Sequence, residues 1–243
     1  MTLPVLLIGG LDSSGGAGLA RDLLAVQGGG QTARLAVTAV TAQTDHRVLA
    51  VEPVAPALLA TQIEAALETG ISAVKIGALF NASLIRVVAS FLPDVPVVLD
   101  PVLCSSSGHA LLDPEGVQAL IALLLPRTTI LTPNLPELAA LAAALGMAPV
   151  AGREAVVDAL LSRGCRSVLL KGGHDLPSSV SEDILYETGS SPLAFRSPRF
   201  SFELRGTGCQ LASALAAELA NGKDLPEAIR AARYGIEERF RNA

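Results

Sequence analysis

The stretch Leu3-Pro4-Val5-Leu6-Leu7-Ile8-Gly9-Gly10-Leu11-Asp12-Ser13-Ser14-Gly15-Gly16-Ala17-Gly18 decides the fold. Residues 3–8 are an almost continuous apolar run closed by Gly9 and Gly10, the mark of a strand buried on both faces. After the glycine-rich turn, residues 19–26 carry a helical pattern. A strand, a glycine-rich turn and a helix in succession put backbone N–H groups at the carboxyl end of a strand, where open α/β sheets bind ligands. The turn lacks the G-x-G-x-x-G spacing of dinucleotide sites and the closing Lys-Ser or Lys-Thr of a phosphate loop. A tight strand-to-helix connection accounts for most of its glycines.

Outward from there the chain alternates. Gly28-Gly29-Gly30 breaks the helix, and residues 32–43 are rich enough in Thr and Val for a strand that ends on Gln43. A further short strand over 48–54 and a helix over 56–68 follow. Strands are expected at 73–76, 95–99, 129–131 and 167–170, with helices at 82–91, 114–124, 136–145 and 154–161. This alternation is the signature of βαβ units on a parallel sheet covered by helices on both faces. Gln43, Asp100, the Asn134 and Glu137 pair, and Lys171 all fall at strand ends or just beyond, as one site on one sheet edge requires. Residues 183–187 and 193–197 read as a hairpin, and helices are expected over 211–220 and 225–240. His109 and His174 read as loop residues.

The hairpin delivers the chain to Arg205-Gly206-Thr207-Gly208-Cys209-Gln210, just before an Ala-rich helical run. Two glycines around a threonine let several N–H groups point at one spot, where the helix dipole also favours negative charge. Cys209 would lie in the first turn, where thiol pKa values drop from about 8.5 to roughly 3.5–7.5, so it is expected to supply a thiolate base. On this segment alone the cysteine reads equally well as core filling.

Composition narrows the function class. The chain has 243 residues, 50% of them apolar, with few aromatics and no Trp, which suits one large α/β domain over 1–243 with an aliphatic core. A net charge of −5 argues against nucleic-acid binding, which needs a basic face. The three cysteines, Cys104, Cys165 and Cys209, lack the spacing of a zinc site or a disulfide framework and suit a reducing cytoplasm. Met1-Thr2-Leu3-Pro4 has no positive region or cleavage site of a signal peptide, and no apolar run reaches the roughly 18 residues of a membrane span. A soluble, cytoplasmic protein is expected.

Seven segments occur in the order seen in one family. They are Gly10 to Gly18, Thr41-Ala42-Gln43, Lys75-Ile76-Gly77, Leu99-Asp100-Pro101-Val102, Thr132-Pro133-Asn134-Leu135-Pro136-Glu137, Lys171-Gly172-Gly173-His174 and Gly206-Thr207-Gly208-Cys209. Together they resemble the hydroxymethylpyrimidine and phosphomethylpyrimidine kinases of thiamine biosynthesis over nearly the whole chain. The resemblance implies a three-layer α/β/α ribokinase-like fold with a mostly parallel sheet, ATP and Mg²⁺ as cofactors, a hydroxymethylpyrimidine substrate and a homodimer. It implies that Gln43 bonds the aminopyrimidine edge, with Gly10, Asp12, Ala17, Val102 and Ala78 around the pocket. Cys209 resembles the base, and the N–H groups of Gly206, Gly208 and Cys209 an anion hole. Lys171 resembles the phosphate-binding lysine, with Asn134, Thr207 and Arg205 beside the nucleotide phosphates. Asp100 and Glu137 would act through hydrated Mg²⁺. Without the resemblance, Asp100 reads as a strand end, Glu137 as a first-turn charge and Lys171 as a surface cation.

The chain also departs from the family. Arg205 stands where His is usual, Leu11 where Thr is usual, Ala78 where Met is common, and Thr44-Asp45 where Asn-Thr often follows the glutamine. Ala78 is expected to leave a roomier pocket, and Arg205 to add a permanent cation beside the anion hole. Two other readings are a pyridoxal kinase, whose substrate is also a heteroaromatic hydroxymethyl compound, and a catalytically silent pyrimidine-binding member. Gln43 favours the aminopyrimidine, and an intact Cys209, Lys171 and Asp100 argues against silence.

Overall fold

Strand β1 (Val5–Asp12) is the middle from which the sheet grows in both directions, pairing in parallel with β2 (Ala33–Gln43) on one side and β4 (Ala73–Ile76) on the other. The structure is a computed structural model that describes residues 2–105, 108–172, 179–202 and 204–243; His174 lies outside them. β3 (Val48–Pro53) folds back antiparallel on β2, while β5 (Val97–Leu99), β6 (Ile130–Leu131) and β7 (Ser167–Leu170) continue the parallel series. The hairpin β8 (Val180–Glu187) and β9 (Leu193–Pro198) closes the far edge. The order of the nine strands is β3-β2-β1-β4-β5-β6-β7-β8-β9.

Alternation along the buried strands sorts side chains into two cores. Leu6, Ile8, Val74, Ile76, Leu99 and Leu131 face one helical layer, formed by α2 (Pro56–Leu67), α3 (Ala82–Phe91), α4 (Pro114–Ala119), α5 (Leu135–Ala144) and α6 (Arg153–Ser162). Val5, Leu7, Ala73, Val98 and Leu169 face the other, formed by α1 (Gly18–Gly28), α7 (Thr207–Ala220) and α8 (Leu225–Arg241). This is the three-layer α/β/α arrangement. Each fully buried Leu or Ile contributes about 1.5–3 kcal/mol of transfer free energy, so an almost purely aliphatic core suffices.

Two elements differ from expectation. β1 does not stop at its glycines: its register shifts between Gly9 and Gly10, and the strand continues to Asp12. The bulge re-aims the strand end without terminating it. The helix over 114–124 is regular only to Ala119. It widens into a π turn over Leu120–Leu124 and tightens into a 3₁₀ turn over Leu125–Arg127. Pro126 has no N–H with which to continue the ladder, and Thr128 Oγ1 donates to the Leu124 carbonyl at 2.9 Å instead.

Because β1, β2, β4, β5, β6 and β7 all run the same way, their carboxyl ends share one edge. Chain order reverses between β1 and β4, which opens a crevice there. Lys171 N donates to the Pro133 carbonyl at 2.9 Å and bridges in parallel to Asn134, so the segments after β6 and β7 lie side by side at that edge.

Candidate active site

A cavity of about 930 Å³ runs along this edge, within the range of small-molecule sites. Gln43, Ala78 and Val102, Cys209 and Lys171, and Asp183, Arg233 and Phe200 all line it. The sequence separates Gln43, Lys171 and Cys209 widely; the fold brings them into one space.

The turn before α7 is built for close approach. Gly206 is the N-cap residue in the left-handed region at φ +72°. A Cβ there would sit 2.4 Å from the Gly16 carbonyl oxygen, so only glycine lets this turn pack on the first glycine-rich loop. Gly208 sits against Lys171, whose Nζ would lie 3.3 Å from an added Cβ. The first N–H groups of a 14-residue helix thus point at the cavity beside an ammonium group.

Lys171 is held between two carboxylates. Its Nζ is 2.8 Å from Asp100 Oδ1 and 3.7 Å from Glu137 Oε2. Thr132 Oγ1 also donates to Asp100 Oδ1, at 3.1 Å. Burial works to raise the Asp100 pKa, but the charges of Lys171 and Lys75 outweigh it and hold the carboxyl below its ordinary value. For Glu137 burial prevails over Lys171 and pushes the carboxyl up to about 7. Lys171 is therefore no solvated surface cation but the centre of a buried charge cluster.

Asn134 and Glu137 carry a second duty. Asn134 Oδ1 accepts from Glu137 N and Glu137 Oε2 accepts from Asn134 N, both at 2.8 Å, a reciprocal cap on α5. The Asn134 amide oxygen is thereby committed to the helix. Among the described residues no three or more His, Cys, Asp or Glu side chains cluster as a metal cage. Asp100 and Glu137, two carboxylates on the cavity wall either side of Lys171, are oxygen donors that could hold Mg²⁺ still carrying several of its waters.

The thiol corrects an expectation. Cys209 lines the cavity at the start of α7, yet burial pushes its pKa up to about 11; Lys75 lowers it, while Asp22 and Asp100 raise it. The helix N-terminus does not make it a resting thiolate, because the sulfur is desolvated and two carboxylates offset the nearby cations.

The first glycine-rich loop is organised by Asp12. Its Oδ1 accepts from Ser14 N and Ser14 Oγ at 2.8 Å, and its Oδ2 from Ala17 N at 2.9 Å. Arg205, the permanent cation expected beside the anion hole, is also engaged. Its Nη1 lies 2.8 Å from Asp45 Oδ1 and donates to Ser14 Oγ at 3.0 Å, and its Nη2 lies 3.4 Å from Asp12 Oδ2. Gln43 ties its backbone N–H to Ser13 Oγ at 2.9 Å, leaving its side chain on the cavity wall. The Ala78 carbonyl accepts from Thr38 Oγ1 at 2.7 Å. Thr207 lines the cavity as the first residue of α7, and His109 sits in an exposed loop.

Sequence reasoning missed Phe80. Among the described residues it is the non-glycine residue at positive φ, +67°, and its ring would lie 3.1 Å from a Cβ on Gly10. A bulky residue in this region is strained, and the ring stands on the cavity wall beside Gly10. A stacked pair, Phe200 and Phe240 with centroids 4.7 Å apart, also lines the cavity.

Comparisons with known proteins agree with this fold. A family model described as phosphomethylpyrimidine kinase matches residues 12–243. The hydroxymethylpyrimidine/phosphomethylpyrimidine kinase of Haemophilus influenzae is 38% identical over 236 residues, covering 94% of this chain and 87% of that protein. Its namesake from Bacillus subtilis is 34% identical over 242 residues, covering 98% and 89%. Among solved structures, the phosphomethylpyrimidine kinase of Clostridium difficile superimposes with a TM-score of 0.80 at 32% identity, over 98% of this chain and 99% of that one. The Staphylococcus aureus pyridoxal kinase in complex with pyridoxal gives 0.85 at 29% identity, over 96% and 86%.

Proposed function

The chain belongs to the phosphomethylpyrimidine kinase family, and from that membership we propose that it moves the γ-phosphoryl group of ATP onto 4-amino-5-hydroxymethyl-2-methylpyrimidine. The resulting monophosphate is its second acceptor, giving the two pyrimidine phosphorylations of thiamine biosynthesis. One observation carries the reading: Gln43, Lys171 and the Gly206 to Cys209 turn line a single cavity at the carboxyl edge of the sheet.

Phosphoryl transfer needs positioning and charge stabilisation more than covalent help. Gln43 offers a donor and an acceptor to the aminopyrimidine edge, and Gly10, Ala17, Ala78, Phe80 and Val102 shape the space around the ring. The N–H groups of Gly206, Gly208 and Cys209, with Lys171, face the oxygens of the group in flight. Thr207 and Asn134 lie beside the nucleotide phosphates. Asp100 and Glu137 would hold hydrated Mg²⁺, which would supply positive charge to the phosphate oxygens. Cys209 takes the proton of the acceptor hydroxyl. A homodimer and residence in the cytoplasm belong to the same reading, on the strength of the family; among the described residues no helix is long and apolar enough to cross a membrane.

A second reading, pyridoxal phosphorylation, is favoured by the likeness to pyridoxal kinases. Steady-state ADP release with the pyrimidine alcohol, its monophosphate and pyridoxal in parallel tests both. The pyrimidines should give the higher kcat/KM; pyridoxal as the better substrate, or silence with all three, contradicts the proposal.

A further inference from the structure

Lys75, Asp22 and Ser213 play no part in the scheme above, yet they form a buried charged network of which Lys75 and Asp22 line the cavity. Lys75 in β4 is 1% exposed, and its Nζ lies 2.7 Å from Asp22 Oδ2, itself 1% exposed. Ser213 Oγ donates to Asp22 Oδ1 at 2.8 Å. The ammonium is tightly enclosed, since a Cβ on Gly77 would approach Nζ to 2.8 Å. A buried ion pair contributes little net stability, because a well-packed apolar pair of similar volume does as well or better. Packing alone gives no reason for this one.

Its position does. Gly18 and Asp22 are one turn apart on α1, and Cys209 and Ser213 are one turn apart on α7, so each pair shares a helix face. The helices meet through Ser213 and Asp22, one turn further along than Gly18 and Cys209, which both line the cavity. Lys75 closes this contact through Asp22. The charges facing the sulfur are Lys75 from β4, Asp22 from α1, Asp100 after β5 and Lys171 after β7. These cations and carboxylates balance; without Lys75 the surroundings become net negative.

We infer that Lys75 is a positioning residue for the transfer: its ammonium, fixed by Asp22 and Ser213, is the counter-charge against which Cys209 becomes a thiolate. The inference rests on the proposed kinase function. The thiolate takes the hydroxyl proton of the acceptor as that oxygen bonds to the γ-phosphorus and the bond to ADP breaks. The resulting thiol returns its proton to water. Burial disfavours the Lys75 ammonium, but Asp22, Cys209 and Asp100 keep it protonated up to about 12, so the charge persists through the working range.

The test needs no substrate and so stands apart from the kinase assay. The rate of Cys209 alkylation by iodoacetamide is followed against pH, with the modified peptide quantified by mass spectrometry. In Lys75→Met the midpoint should rise by about one unit, with about tenfold slower alkylation at pH 8. Lys75→Met with Asp22→Asn, which leaves no unpaired buried charge, should shift the same way by less, because Lys75 outweighs Asp22 at the sulfur. A merely structural lysine predicts the opposite sign, since loosened packing hydrates the thiol and speeds alkylation. An unchanged or accelerated rate in the double variant overturns the inference.

Discussion

Arg205 Nη1 stands 2.8 Å from Asp45 Oδ1, an ion pair between residues far apart in the chain. The pair ties the β2–β3 turn to the entry of α7, and Asp12 Oδ2 anchors the guanidinium from behind at 3.4 Å. Asp45 is 71% exposed, so the pair is worth at most about 1 kcal/mol. Asp45→Asn should therefore shift Tm by less than about 4 °C. It should lower KM for the monophosphate, whose charge the released cation can meet, while KM for the alcohol stays constant. Steady-state kinetics on both substrates decides.

The two acceptors place different demands on Cys209. The alcohol must lose a proton, whereas a phosphomonoester is mostly dianionic above its second pKa of about 6 and presents a bare oxygen. With the thiol pushed up to about 11, alcohol turnover should climb with pH through the alkaline range. Cys209→Ala should abolish that climb and reduce alcohol turnover by about 10²- to 10⁴-fold, with a much smaller loss on the monophosphate. The ratio of the two kcat values across pH is the readout.

Glu137 gives stability a pH dependence of known sign. Its folded pKa, about 7, lies above the ordinary 4.5, so folding disfavours its ionised form. The contribution is fully present below about pH 4.5 and is lost as pH rises through 7. Glu137→Gln keeps the acceptor that caps α5 and should flatten this decline, leaving the variant more stable by roughly 1–3 kcal/mol at pH 8. Urea midpoints at pH 5 and pH 8 check it. In the wild type, Mg²⁺ affinity should rise through neutrality as Glu137 ionises.

Gly206 tests the anion hole. Alanine there meets a left-handed backbone, which costs about 1–2 kcal/mol, and a carbonyl oxygen 2.4 Å from its Cβ. Gly206→Ala should lower Tm and displace the N–H groups of the turn, with a loss of about 10²- to 10³-fold in kcat. Chemical denaturation and kinetics on the same preparation separate the two effects.

The sheet was readable because each parallel strand announces itself by an apolar run and ends on a polar or glycine residue, so Gln43, Asp100 and Lys171 could be placed on one edge. The charge state of Cys209 was not readable. It depends on Lys75, Asp22 and Asp100 arriving from three other segments, and a helix N-terminus argument sees none of them. The commitment of Arg205 to Asp45 spans 160 residues and likewise has no local signal. Phe80 was hidden because nothing in Ala78-Leu79-Phe80 signals a positive φ. The capping box was half visible: Asn134 and Glu137 have its spacing, but their shared role with Lys171 appears only when β6 and β7 lie side by side.

Phosphorus NMR of the wild-type chain with ATP, Mg²⁺ and the hydroxymethylpyrimidine tests the central claim most directly. The γ-phosphate resonance should disappear as ADP and a phosphomonoester grow in, the monoester then giving way to the two coupled resonances of a diphosphate ester. A γ-phosphate that persists, or that is released only as inorganic phosphate, from protein shown to be folded would contradict the account.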